Sequence, residues 1–255
     1  MKTLIRFFIR TIPRPVLIKF SGLFSWIFRF WYRGNSVECP VCGGEFRKFM
    51  PYGIETRSNV LCPKCLSLER HRLIWIYLQK ETDFFSRKLS FLHVAPEQCF
   101  YPKFKKMSNL DYLTADLESP LADMHFDLHD IPLEDNSFDF FMCNHVMEHV
   151  EDDAKVMREI FRVLRPDGMA ILQVPQDYSL EKTYEDATIT DPLDREKHFL
   201  QKDHVRLYGM DYALRLQRAG FEVEEILYAK ILGDELTERY RLPENEILYL
   251  ARKKN

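Results

Sequence analysis

Residues 127 to 175 read DLHDIPLEDNSFDFFMCNHVMEHVEDDAKVMREIFRVLRPDGMAILQVP, and their apolar pattern decides the fold. The run FDFFMC at 138–143 is short, almost wholly apolar and bounded by turn residues, as a buried strand requires. A helix follows over 151–165: Glu151, Asp152 and Asp153 suit its first turn, and Met157, Ile160, Phe161 and Leu164 make its buried face. Arg162 and Arg165 complement its carboxyl end, and Pro166-Asp-Gly168 stops it. AILQV at 170–174 is the next strand. Working outward, FLHVA (91–95), YLTA (112–115), FEVEEI (221–226) and EILYLA (246–251) supply further strands with helical patterns between them. That alternation predicts an α/β domain with a largely parallel sheet, which binds nucleotide-like ligands at the carboxyl ends of its first strands.

The same run resembles the central stretch of class I S-adenosylmethionine (SAM) dependent methyltransferases, whose small-molecule branch carries a D…LP…DNSFD…EHV…RVLRPGG pattern; with its flanking strands the resemblance covers about residues 90–252. It implies a Rossmann-like class I methyltransferase sheet with helices on both faces and SAM as cofactor. Asp116, closing the second strand with Leu117 beside it, would accept hydrogen bonds from the cofactor ribose. Asp127 and Leu128, at the third-strand position, would flank the adenine. Asn144, His145 and Val146, after the fourth strand, would border the methyl-transfer site. One departure stands out. Where such enzymes carry a glycine-rich loop after the first strand, this chain has His93-Val94-Ala95-Pro96-Glu97. Glycine there lets the backbone approach the cofactor closely. The expectation is a variant loop, with Ala95 as its small residue and Glu97 or His93 holding the methionine ammonium.

Methyl transfer from a sulfonium is an in-line displacement, so the protein must align the acceptor and remove a proton from a hydroxyl or amine. His145 is the first candidate base and His204 the second. The sequence leaves open whether Glu148 and His149 hold a divalent ion. Residues 176–206, rich in charged residues and histidine, suit a lid or substrate-binding insertion ahead of a helix beginning near Tyr208.

Cys39-Pro-Val-Cys42 and Cys62-Pro-Lys-Cys65 are 19 residues apart, a spacing at which two knuckles give Zn²⁺ four thiolates. A closed four-cysteine site makes the zinc structural. The following helix carries a stripe of Leu66, Leu73, Ile74, Tyr77 and Leu78, expected to dock on the main domain. Arg70, His71 and Arg72, with Arg57, either present positive charge to an anionic substrate or form a solvated face.

Seven basic residues and no acid fall within the first 34 positions, leaving −10 of the overall −3 charge on the remainder. So acidic a body disfavours nucleic acid as partner. Phe20, Leu23, Phe24, Ile27 and Trp31 recur at helical spacing edged by Lys19, Arg29 and Arg33, so residues 15–33 suit a membrane surface or an internal packing face. The organisation expected is a basic amphipathic helix (1–34), a zinc ribbon (35–66), a connecting helix (67–89) and a methyltransferase domain (90–255). The thiols of Cys99 and Cys143 suit a reducing compartment, hence a cytoplasmic protein, peripheral on the membrane's inner face if the helix tethers it. The function expected is methyl transfer to an O- or N-nucleophile of a small-molecule, lipid-linked or envelope-glycan acceptor. The alternatives are a zinc-ribbon scaffold with a degenerate fold, supported by the glycine-free loop, and an RNA methyltransferase, which the acidic body disfavours.

Overall fold

The structure, a computed structural model, describes residues 30–53 and 56–254. The amphipathic helix expected over 15–33 lies almost wholly outside the described residues. In chain order the elements are β1 (Arg33–Cys39), β2 (Gly44–Phe46), β3 (Met50–Tyr52), β4 (Arg57–Leu61), α1 (Glu69–Glu81), β5 (Leu89–Val94), α2 (Tyr101–Phe104), β6 (Leu110–Ala115), β7 (Phe138–Cys143) and α3 (Asp153–Val163). They continue with β8 (Leu164–Ile171), β9 (Tyr184–Glu185), α4 (Pro192–Phe199), β10 (Arg206–Leu207), α5 (Tyr212–Arg218), β11 (Glu222–Ile226), α6 (Tyr228–Leu232), α7 (Asp234–Tyr240) and β12 (Leu248–Arg252). Two compact units result. The first comprises residues up to 83 with 97–103 and 227–246, and the second comprises 84–96, 104–226 and 247 onward.

In the first unit, β1 pairs with β2 and β3 with β4, both antiparallel. Each C-x-x-C forms a knuckle closed by backbone bonds: Gly43 N–H to the Cys39 carbonyl, and Leu66 N–H to that of Cys62. The residue four after each first cysteine is left-handed, Gly43 at φ 62° and Leu66 at φ 61°; glycine takes this backbone without strain, whereas leucine is held there by its surroundings. Arg72 is fully buried at the centre of the unit. Its guanidinium donates to the carbonyls of Val60, Ser67, Tyr240 and Arg241 and lies 4.3 Å over the Phe49 ring. His71 is buried too, its Nδ1 accepting the Leu68 N–H that opens α1, and Arg57 pairs with Glu69. Of the four basic residues read as a substrate-facing or solvated face, Arg72 and His71 are structural, because the carbonyls and the helix N-terminus they satisfy would otherwise be buried unpaired. The apolar side of α1 is met within its own unit by α6, where Tyr77 packs edge-on against Tyr228 and the Tyr228 hydroxyl donates to Glu81.

The second unit is built on a six-stranded sheet of order β11-β12-β8-β7-β5-β6. β6, β5, β7 and β8 run parallel, and β12 is antiparallel to both β8 and β11. Alternation along the central strands sorts the two faces. Leu92, Val94, Phe141 and Cys143 join the core made with Val156, Met157 and Ile160 of α3 and Tyr212, Ala213 and Leu216 of α5. On the other face Phe84, Phe91, Phe104 and Phe140 pack edge-to-face, with ring centroids 4.9 to 5.5 Å apart.

Two expectations are corrected. Helix α3 ends at Val163, and Leu164 to Ile171 is already strand, so Pro166-Asp-Gly168 lies within β8. The left-handed residue there is Asp167 (φ 62°), and Lys253 Nζ caps α3 by donating to the carbonyls of Phe161 and Leu164. No strand forms at 127–128 either. Residues 121–124 run beside β6 with one bridge, Ala115 to Met124, while the Asp123 carboxylate takes the Thr114 N–H and hydroxyl. A side chain thus satisfies backbone that a third strand would have paired.

Candidate active site

The carboxyl ends of β5, β6 and β7 lie side by side, Val94 pairing with both Ala115 and Cys143. Ala95, which follows β5, is left-handed at φ 50° and donates its N–H to the Ala115 carbonyl at 2.8 Å. The alanine thus takes the backbone that glycine takes freely, at about 1–2 kcal/mol of local strain. At the end of β6, Asp116 Oδ1 accepts the N–H groups of Glu118 and Ser119 at 2.9 and 2.8 Å, which fixes its carboxylate; Leu117 beside it is exposed. Asp127 lies on the loop that follows. Its Oδ1 accepts the N–H of His129 and the His129 Nδ1–H, at 2.9 and 2.7 Å, and these two bonds hold its carboxyl below the usual range. His129 Nε2 in turn accepts the N–H of Asp152, the N-cap of α3, at 3.1 Å, so Nδ1 carries the ring proton. The side chain of Leu128 belongs to the core.

After β7, Asn144 is buried and its Oδ1 accepts the Gln173 N–H, while His145 donates its own N–H to the Gln173 carbonyl at 2.7 Å. His145 is left-handed, φ 57°, and places Nδ1 3.6 Å from Glu148 Oε1. Val146 is partly buried against the core. Gln173, fully engaged with Ile247 and Tyr249 of the last strand segment, is thus the brace for this corner.

The loop from Met147 to Glu151 is held by residues of the 176–206 insertion. Arg206 is buried and donates to the carbonyls of Met147, Val150 and Glu151. It also pairs with Glu185, while Asp153 binds Arg215 at 2.7 Å and accepts the Tyr208 hydroxyl at 2.8 Å. Burial raises the Asp153 pKa, but the bonds and charges of Arg215 and Arg206 outweigh it and hold the carboxyl below the usual range. Next to this network, Val205 donates to the Glu148 carbonyl, and His149 and His204 meet edge-on at 4.8 Å. The ligand atoms of Glu148, His149 and His204 all lie within 4.8 Å of one another. Burial pushes the His204 pKa below the usual histidine value.

His93 and Glu97 are the residues expected at the methionine end of the cofactor. His93 is fully buried, its Nδ1 2.8 Å from the Tyr112 hydroxyl and its ring stacked on Phe91, so its side chain belongs to the aromatic face of the sheet. Glu97 falls in the first unit, where its carbonyl accepts the N–H groups of Phe100 and Tyr101. Tyr208 does not open a helix: it forms a bridge with Gln176, and α5 starts at Tyr212, because the buried tyrosine is committed to Asp153. Among the residues that sequence reasoning missed, Arg206, Gln173 and His129 act through partners 23 to 76 positions away, a range at which no periodicity signals them.

In the first unit the four cysteines converge. Cys39 and Cys65 sulfurs lie 3.6 Å apart and those of Cys42 and Cys62 3.7 Å apart, close to the edge of about 3.8 Å that a tetrahedron with zinc–sulfur bonds of ~2.3 Å has. The Ser67 hydroxyl lies 3.1 Å from the Cys39 sulfur and 3.3 Å from that of Cys65, where it can donate to a thiolate.

Residues 90–172 match a family model described as "Methyltransferase domain". The chain is 33% identical over 104 residues to a Mycolicibacterium smegmatis protein described as "Probable S-adenosylmethionine-dependent methyltransferase", over 40% of this chain and 36% of that one. It is 39% identical over 64 residues, 25% of this chain and 19% of the other, to an uncharacterized 37.1 kDa protein in a Streptomyces fradiae transposon. The chain spans less than two-fifths of the length of the curated relatives it matches. Among solved structures, a SAM-dependent methyltransferase from Mesorhizobium loti aligns at 19% identity over 71% of this chain and 98% of its own, with a TM-score of 0.48. The YcgJ protein of Bacillus subtilis aligns at 16% over 73% and 99%, with a TM-score of 0.47.

Residues 90–172, which hold most of β5 and the whole of β6, β7, α3 and β8, are thus similar to methyltransferase domains.

Proposed function

We propose that the protein binds SAM over the carboxyl ends of β5, β6 and β7 and transfers its methyl group to an oxygen or nitrogen nucleophile of a small-molecule or glycan acceptor. The observation that carries this reading is the left-handed backbone of Ala95. Lack of glycine was the one argument for a degenerate cofactor loop, and the conformation glycine would supply is present without it. Asp116, its carboxylate already oriented by two backbone N–H groups, would accept from the ribose hydroxyls. Asp127, held ionised by His129, would accept from the adenine amino group.

SAM supplies an electrophilic methyl on a sulfonium. The chain's own part is to align the acceptor and take its proton as the new bond to carbon forms and the sulfur leaves with the electron pair. His145 is the base best supported, since its Nε2 is buried with no partner among the described residues and its Nδ1 faces Glu148. His204, tied by Nδ1 to the Phe199 carbonyl, is less suited to carry a proton away. Zinc in the four-cysteine cluster would fold the ribbon and leave no coordination position for chemistry. The membrane contact expected of residues 15–33 draws support from Phe30 and Trp31, 77% and 69% exposed at the described end of that stretch. The test is calorimetric titration of SAM into the full chain beside Asp116→Ala. Binding that the substitution abolishes supports the reading, and no binding to folded protein overturns it.

A further inference from the structure

A cavity of about 560 Å³ opens within the first unit, lined by β4, the start of α1 and the chain from α7 to residue 244. That is the size of a small-ligand site. Four acids line it, Glu69, Asp234, Glu238 and Glu244, against one base, Arg241. Arg241 lies 3.9 Å from Glu238, an exposed pair of little worth, and no ion pair engages Asp234 or Glu244 among the described residues. Glu69 differs from the other three acids in being buried. Its side chain is 9% exposed, its Oε1 lies 2.5 Å from Arg57, and its Oε2 has no hydrogen-bond partner among the described residues. A carboxylate oxygen held out of water without a donor is costly, so a site that keeps one is shaped for a donor that arrives from outside. A cleft lined by one sign of charge also concentrates its field on whatever enters it.

The lining narrows what that donor is. One metal ion does not suit it: among the described residues, the acid, histidine and cysteine groups of three or more that come close enough to share an ion lie elsewhere. A methylated ammonium is held by aromatic faces, and among the described residues no aromatic side chain lines this cavity. Beside the acids stands aliphatic wall, Val60 and Leu242, which suits a methylene chain. One buried acid and several exposed ones around a single cavity call for more than one positive charge on the same molecule.

We propose that this cavity binds a linear aliphatic polyamine, one ammonium donating to the Glu69 carboxylate and the others meeting Asp234 and Glu244. Glu69 opens α1 and Asp234 opens α7, so the ligand would tie together two stretches that Arg72 of α1 already joins through the carbonyls of Tyr240 and Arg241. Its binding does not depend on the methyl-transfer reading.

Zinc-loaded full-length protein is titrated with spermidine by calorimetry. One equivalent is expected to bind, more weakly as ionic strength rises, and to raise the thermal unfolding temperature. Glu69→Gln, close in shape, should weaken binding by about tenfold or more, and Asp234→Asn with Glu244→Gln severalfold. The last two positions are exposed, so that double variant keeps its fold and tests the site even where Glu69→Gln unfolds. Glu224→Gln, an exposed acid of the second unit, should change nothing. No binding by wild type, or equal binding by the double variant, overturns the site. Displacement of spermidine by an equal concentration of Mg²⁺ or Ca²⁺ overturns the organic cation. An oligolysine peptide that binds more tightly than spermidine, and loses that binding with the same substitutions, overturns the free polyamine in favour of a partner's side chains.

Discussion

Ala95 and His145 end neighbouring parallel strands with the same left-handed turn of the backbone, φ 50° and 57°, one residue past Val94 and two past Cys143. Neither is glycine, so each corner is held by its surroundings: Ala95 by the Ala115 carbonyl, His145 by that of Gln173. Strained residues of this kind gather at functional sites.

Relaxing the first corner should cost nothing in function. Ala95→Gly is expected to keep SAM affinity and to change stability by no more than about 1 kcal/mol, relief of strain offsetting the extra freedom of the unfolded chain. Ala95→Val, β-branched where φ is positive, should destabilise by about 2 kcal/mol and abolish SAM binding. Urea unfolding and calorimetry on the pair decide the point; equal SAM binding by both variants would remove the corner from the cofactor site.

His129 links Asp127 to the start of α3. His129→Phe removes both bonds, and the expected loss is about 1–2 kcal/mol of stability with a severalfold weaker SAM complex. His129→Asn, which can still meet one partner, should fall between. An unchanged SAM affinity in the Phe variant would mean that Asp127 needs no positioning.

The buried Asp153 carboxyl is ionised more readily in the folded protein than in the unfolded chain. Its contribution is therefore complete at neutral pH and is lost as pH falls through the ordinary carboxylate range and below it. Asp153→Asn, which leaves Arg206 and Arg215 without that charge, should cost about 3–5 kcal/mol at pH 7. The gap between wild type and variant in urea titrations should narrow as the solution is acidified. A gap independent of pH would show that packing, not charge, is what the substitution removes.

All three tryptophans, Trp26, Trp31 and Trp75, precede the sheet, and Trp75 stacks on Phe100 in the first unit. Stripping zinc with a strong chelator should shift tryptophan emission while the far-ultraviolet signal of the sheet persists. Ser67→Ala should make the metal about tenfold easier to remove, since the hydroxyl lies against two ligand sulfurs. Emission that ignores the chelator would argue against zinc as the ribbon's support.

The sheet was legible because its strands announce themselves: FDFFMC and FLHVA are nearly continuous apolar runs, and β7 and β5 appear where those runs lie. Asp116 and Asp127 were singled out through the family resemblance; Asp116 directly follows β6, and Asp127 lies on the loop beyond it. The start of β8 was not legible, since Pro166-Asp-Gly reads as a turn and becomes strand only through pairing to β7 and to the chain near Lys253. The setting of His93 was not legible either, since its place within β5, fully buried, stacked on Phe91 and 2.8 Å from the Tyr112 hydroxyl, depends on partners that sequence pattern does not show. Arg206 looked like one charge among many in the insertion, and its three carbonyl acceptors are 55 to 59 residues away.

Arg72 donates to carbonyls at 60 and 67 and also at 240 and 241. During synthesis on a ribosome the first two emerge early and the last two only after the whole sheet has been made. All four cysteines emerge early as well, but the Arg72 guanidinium stays half-satisfied until residues 240 and 241 return. The unit that begins first is sealed last, so a protein halted before residue 240 would carry all four cysteines without ever closing the unit around Arg72.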